Sequence, residues 1–157
     1  MSEFDWDRFE AAKMEPRREK MPVPDLAAFF KPGETPEWEV RGLTAREWAV
    51  SLEAEQKYAT VSAVATTLQQ AGVEVQAMRR IVGLTKATPS ELAKRLELFV
   101  MGSVNPTVNL EQAVLLAERF ALDFWVIVSK IINLTGKGFD LAKPAAASQT
   151  TQDLPQA

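Results

Sequence analysis

Cysteine and histidine are both missing from this 157-residue chain. Without cysteine there are no disulfides, no thiol nucleophile and no thiolate metal site. Without histidine the commonest general base and the commonest metal ligand are gone as well. Carboxylates, lysine or serine remain available for chemistry, but the reading from composition is that the protein is not an enzyme and carries no cofactor. A basic excess is also lacking: 18 Lys+Arg stand against 21 Asp+Glu, for a formal net charge of −3. Proteins that hold nucleic acid through its phosphates usually carry the opposite balance. The signs are mixed along the chain, so no strong single-sign field is expected. The N-terminus, MSEFDWDRFEAAK, lacks the continuous apolar core of a signal peptide. The most apolar stretch, Ala113 to Leu134, is broken by Glu118, Arg119, Asp123 and Lys130, whereas a membrane span needs about 20 mostly apolar residues. The expectation is a soluble cytoplasmic protein with one domain and two tails, large enough to bury its own core.

What is present is helix signal. Thr44-Ala-Arg-Glu47 is a capping box that starts a helix near Ala45, with Trp48 and Leu52 on one face and Ala45 and Ala49 on or near it. Helical character continues through Tyr58 and Leu68 toward Gly72, and Val73 to Ile81 is helix-compatible. Thr88-Pro-Ser-Glu91 is a second box, strengthened by proline at the first helical position. Leu92, Leu96, Phe99 and Val100 form its apolar face and Gly102 ends it. Asn109, with Gln112 three residues on, caps a third helix, and Asp123 is placed to recap a fourth, Phe124 to Leu134, closed by Gly136. Before these helices, Leu26 to Phe30 and the alternating Trp38-Glu-Val-Arg41 suggest a small hairpin around Lys31-Pro-Gly-Glu34. The fold class expected is therefore mainly α: a small helical bundle preceded by a short β-hairpin element, with loose N- and C-terminal segments. Residues 1–20 read as an arm, 21–138 as the helical domain and 139–157 as a disordered tail.

Catalytic constellations do not form. Glu53/Glu55 and Asp5/Asp7 are two residues apart, which on a helix points them to different faces. Ser90 lies four residues before Lys94 but is better explained as a first-turn residue. Leu134-Thr-Gly-Lys-Gly138 lacks the frame of a phosphate loop and follows a helix instead of a strand. Thr88 to Leu96 and Leu116 to Asp123 resemble parts of a helix-turn-helix, but the interval between them is too long for its short turn. No partner in nucleic acid or membrane is expected.

The apolar surplus between Phe120 and Leu134 is what remains. Phe124, Ile127, Val128 and Ile131 share one helix face and read as core. Trp125, Ile132 and Val126 point elsewhere and read as a partner-binding face, because such exposed patches mark protein contacts and Trp is a favoured anchor in them. Phe4, Trp6 and Phe9 form a second aromatic cluster, either docked on the body or held out for a partner. A homo-oligomer is expected.

The order of these features resembles the tail assembly chaperones of long flexible-tailed bacteriophages. The residues that carry the likeness are Phe4-Asp-Trp-Asp7, Val40-Arg-Gly-Leu-Thr-Ala-Arg-Glu47, Gly102-Ser-Val-Asn-Pro-Thr-Val108, Leu115-Leu-Ala-Glu-Arg-Phe120 and Phe124 to Gly138. The resemblance implies a small helical, non-enzymatic holdase of the host cytoplasm, absent from the mature virion. Its partners would be the tape-measure protein, which it keeps soluble, and the tail-tube subunits it helps recruit. A structural tail or connector component of the virion and an acidic DNA-associated regulator are the alternatives.

Overall fold

A computed structural model describes residues 2–57 and 89–141 of the chain. The elements run α1 (Trp6–Ala11), β1 (Met14–Pro16), β2 (Arg18–Pro22), a 3-10 helix (Pro24–Phe29), β3 (Glu37–Arg41), α2 (Ala45–Lys57), α3 (Pro89–Gly102), β4 (Ser103–Asn105), α4 (Leu110–Arg119), α5 (Ala121–Gly136) and β5 (Phe139–Leu141). The expectations for Tyr58 to Leu68, Val73 to Ile81, the cap at Thr88 and the tail from Lys143 lie outside the described residues.

The mainly helical bundle is corrected by the strands. Among the described residues the fold is mixed, about 59% helical and 18% strand, with two small antiparallel sheets of 2 and 3 strands. β3 is the centre of the larger sheet, flanked by β2 and β4, and β1 pairs with β5 in the smaller one. The expected hairpin partner of Trp38–Arg41 is also replaced: Pro24–Phe29 is a 3-10 helix, and β3 pairs instead with β2, Met21 opposite Trp38 and Arg18 opposite Arg41. Proline at its first position explains the helical turn, since Pro24 fixes its own φ and needs no donor there. β1 and β5, where Glu15 lies opposite Asp140, join segments expected to be a loose arm and a loose tail. Strands of three residues carry no measurable alternation, and a partner 125 positions away leaves no local trace (15 against 140).

The core lies between the three-stranded sheet and the helices. Trp38 and Val40, alternate residues of β3, are buried, while Glu37 and Glu39 turn outward. Trp38 stacks at 5.6 Å on Phe99 of α3, which meets Phe124 of α5 at 5.0 Å. These aromatic contacts knit β3, α3 and α5 into one core. Two glycines make the packing possible by close approach. A Cβ on Gly102 would sit 2.6 Å from the Ile131 side chain, and one on Gly42 would sit 3.0 Å from the Leu134 backbone. At Gly42 the chain turns into α2, and the Leu43 amide donates to Thr135 Oγ1 at 2.9 Å. The Thr44–Glu47 box forms as expected, with both reciprocal bonds at 3.1 and 3.0 Å. So does the Asn109–Gln112 box, at 2.8 and 3.0 Å.

Candidate functional site

Several large apolar side chains are left in solvent by the core. α5 is the clearest case. Phe124, Ile127, Val128, Ile131 and Leu134 are buried along one face. On the opposite face, with Ser129 between them, Leu122, Trp125, Val126 and Ile132 remain 75%, 38%, 46% and 39% exposed. A helix turns about 100° per residue, so these positions fall within one stripe roughly opposite the core. The sequence placed Trp125, Val126 and Ile132 on this outer face, and the structure brings them together there. Leu122 was missed, although its spacing of three to Trp125 and four to Val126 marks it as a member. It was missed because the helix was expected to start after Asp123. In fact α5 begins at Ala121, and its N-cap is Phe120 with no side-chain capping bond.

Trp125 is not bare. The Arg95 guanidinium from α3 lies over its ring at 3.4 Å, a cation–π contact that covers one face and steadies the indole. Burial against this wall pulls Arg95 below the ordinary arginine pKa, with Glu91 opposing the shift. Lys130 pairs with Glu19 of β2 at 2.8 Å, tying the flank of α5 to the sheet. At the N-terminal end of the stripe, burial pushes Asp123 up, and the nearby Asp25 carboxyl adds to the rise.

The second surface is α1. Asp5 caps it by accepting from the Arg8 amide at 3.0 Å, and none of its residues is buried. Phe4, Trp6 and Phe9 pack on one another at 4.8, 5.6 and 5.8 Å, yet stay 59%, 63% and 47% exposed. The structure therefore groups these three residues but leaves them out of the core packing.

The third surface was not anticipated. A groove of about 800 Å³ opens beside the 3-10 helix, between β3 and α4. Trp38 and Phe99 form part of its lining, and Phe29, Leu115 and Phe120 line its more open side. Phe29, 74% exposed, meets Phe120 edge-on at 6.0 Å. No local pattern could have assembled these residues, because they come from four separate segments. Such concave, mostly apolar sites bind by burial of an apolar group.

The Arg41–Glu47 pair stands between β3 and the start of α2. Glu47 is held down to about 2, chiefly by its two-point hydrogen bond from Arg41, with the Thr44 amide adding to it against the cost of burial. Burial raises Glu97. Among the described residues no group of three or more His, Cys, Asp or Glu could hold a metal ion. No described helix is long and apolar enough to cross a membrane. No protein-family model, curated protein or solved structure matches this chain.

Proposed function

We propose that this chain is a non-enzymatic assembly chaperone: it binds a long helical client of the tape-measure type, keeps it soluble, and helps recruit tail-tube subunits to it. The observation that carries this reading is the double-sided apolarity of α5. Its inner face completes the core, and its outer face offers Leu122, Trp125, Val126 and Ile132 to solvent. A contiguous apolar stripe left in water by a folded domain marks a contact site for another molecule. The spacing of that stripe suits an amphipathic helix laid along it, each partner contributing residues at three and four positions apart. The likeness of Phe124 to Gly138, and of the other segments named above, to tail assembly chaperones points the same way. The client helix leaves when assembly proceeds, and a modest surface with a polar Ser129 at its centre fits reversible holding.

Co-expression with a long, aggregation-prone coiled-coil chain tests the reading. The soluble fraction of that chain should rise several-fold in the presence of this protein. An unchanged soluble fraction would overturn the proposal.

A further inference from the structure

Two features of the molecule leave aromatic side chains in solvent: the aromatic arm on α1 and the groove beside the 3-10 helix. We infer that the arm of one copy docks in the groove of a second copy, and that the exchange is reciprocal, giving a two-fold dimer.

The donor is a ready-made anchor. Phe4, Trp6 and Phe9 are already clustered at 4.8 to 5.8 Å, so little ordering remains to be done on binding. The acceptor has the room: about 800 Å³, with Phe29, Leu115 and Phe120 accessible on its open side for apolar and edge-on ring contacts. The charges at the groove balance, Lys20, Lys31 and Arg119 against Glu34, Glu37 and Glu39, so the match rests on the apolar rings.

Geometry favours a second copy over the arm's own groove. The arm leaves the body through β1, which is paired with β5 beyond the end of α5. Arg17, between β1 and β2, is fixed there by an ion pair to Asp140 and by the bond from the Gly42 amide to its carbonyl at 2.8 Å. That root lies at the Arg41 end of β3, and the groove at the Glu37–Trp38 end. The two ends are about 13 Å apart at the rise of a strand. In the isolated chain the rings remain exposed.

Area sets the stoichiometry. A large aromatic side chain buries about 150–250 Å², and these three are roughly half exposed, so one arm has about 300 Å² left to cover. Counting both sides, one docked arm buries about 600 Å², the size of an incidental contact, whereas two exchanged arms reach about 1,200 Å², the threshold of a stable interface. A reciprocal exchange about a two-fold axis uses both halves of each copy, closes at two and does not propagate.

The full-length chain, without client, is measured by sedimentation equilibrium. Wild type should dimerise. Trp6→Ala with Phe9→Ala, and separately Phe29→Glu with Leu115→Glu, should each weaken the dimer about tenfold or more. Circular dichroism of the arm variant should match wild type, since none of its residues is buried within the chain. Because the chain has no cysteine, Glu10→Cys in one preparation and Thr107→Cys in another should yield a disulfide-linked mixed dimer. A wild type that stays monomeric at every concentration, a dimer untouched by the arm substitutions, or cysteines that join only within a chain carrying both, would each overturn the inference. The test contains no client, so its failure leaves the chaperone reading standing, and the reverse also holds.

Discussion

Trp38 and Ser103 are joined across neighbouring strands by a buried hydrogen bond, the indole Nε1 donating to the serine Oγ at 3.1 Å. Both residues are 7% exposed. The bond gives the one polar atom of a core indole its partner and fixes β4 against β3, where Val40 lies opposite Ser103. Ser103→Ala leaves the N–H buried without an acceptor. It should cost about 1–3 kcal/mol of stability. Urea unfolding checks this, and an unshifted midpoint would mean that water or another group replaces the serine.

Arg41 and Glu47 should make stability depend on acid. Arg41 Nη1 and Nη2 lie 2.9 and 2.5 Å from the two carboxylate oxygens, and Glu47 is lowered from 4.5 to about 2. A carboxyl with a depressed folded pKa contributes stability that is present above its unfolded value and is lost as pH falls through the folded one. The loss should therefore run from about pH 4.5 down to about 2. Partial exposure to solvent limits its size to about 1–2 kcal/mol. Glu97 acts with the opposite sign: burial raises it, so its ionisation opposes folding as pH rises. Glu97→Gln should be neutral or slightly stabilising at pH 7, by about 0.5 kcal/mol. Melting temperatures of Glu47→Gln and Glu97→Gln between pH 3 and 7 separate the two, and parallel curves for both variants and wild type would refute the assignment.

Gly102 should not tolerate a methyl group. A Cβ there would meet Ile131 at 2.6 Å, and Ile131 is fully buried. Gly102→Ala should destabilise by about 1–3 kcal/mol through overpacking, despite alanine's better helix propensity. Pairing it with Ile131→Val should recover part of the loss. No recovery in the double variant would place the strain elsewhere.

How much of this was legible depended on range. The boxes at Thr44–Glu47 and Asn109–Gln112 are set by residues three apart and were read correctly from their side chains. The inner face of α5 followed from the helical period. On α2 the periodic reading failed in part: Ser51 and Ala54 are buried, while Leu52 is 39% exposed and Ala45 and Ala49 face solvent. Small residues packed inward and a Leu turned outward defeat a rule that ranks positions by hydrophobicity. The strands β1, β2, β4 and β5 were missed because their partners are distant in sequence. The mixed fold and the groove are products of that long-range pairing. The outer stripe of α5 was legible because a single helix carries it, and the aromatic arm because its residues are close in sequence.

Substitutions on the outer stripe test the proposed holding apart from folding. Trp125→Ala with Ile132→Ser removes two of its apolar members and the contact with Arg95, at 3.4 Å from the indole. The double variant should lose about 1–2 kcal/mol of stability, mostly from the cation–π contact and partial burial. Circular dichroism and melting curves should show a folded domain. A collapsed melting temperature would make these residues ordinary core.

On the proposed function, α5 holds an aggregation-prone helical client through this stripe. The most direct measurement is light scattering of a tape-measure-like coiled-coil chain diluted from denaturant with equimolar protein. Wild type should suppress the scattering and the folded Trp125→Ala, Ile132→Ser variant should not. Equal scattering with wild type, with the variant and with no added protein would contradict the account.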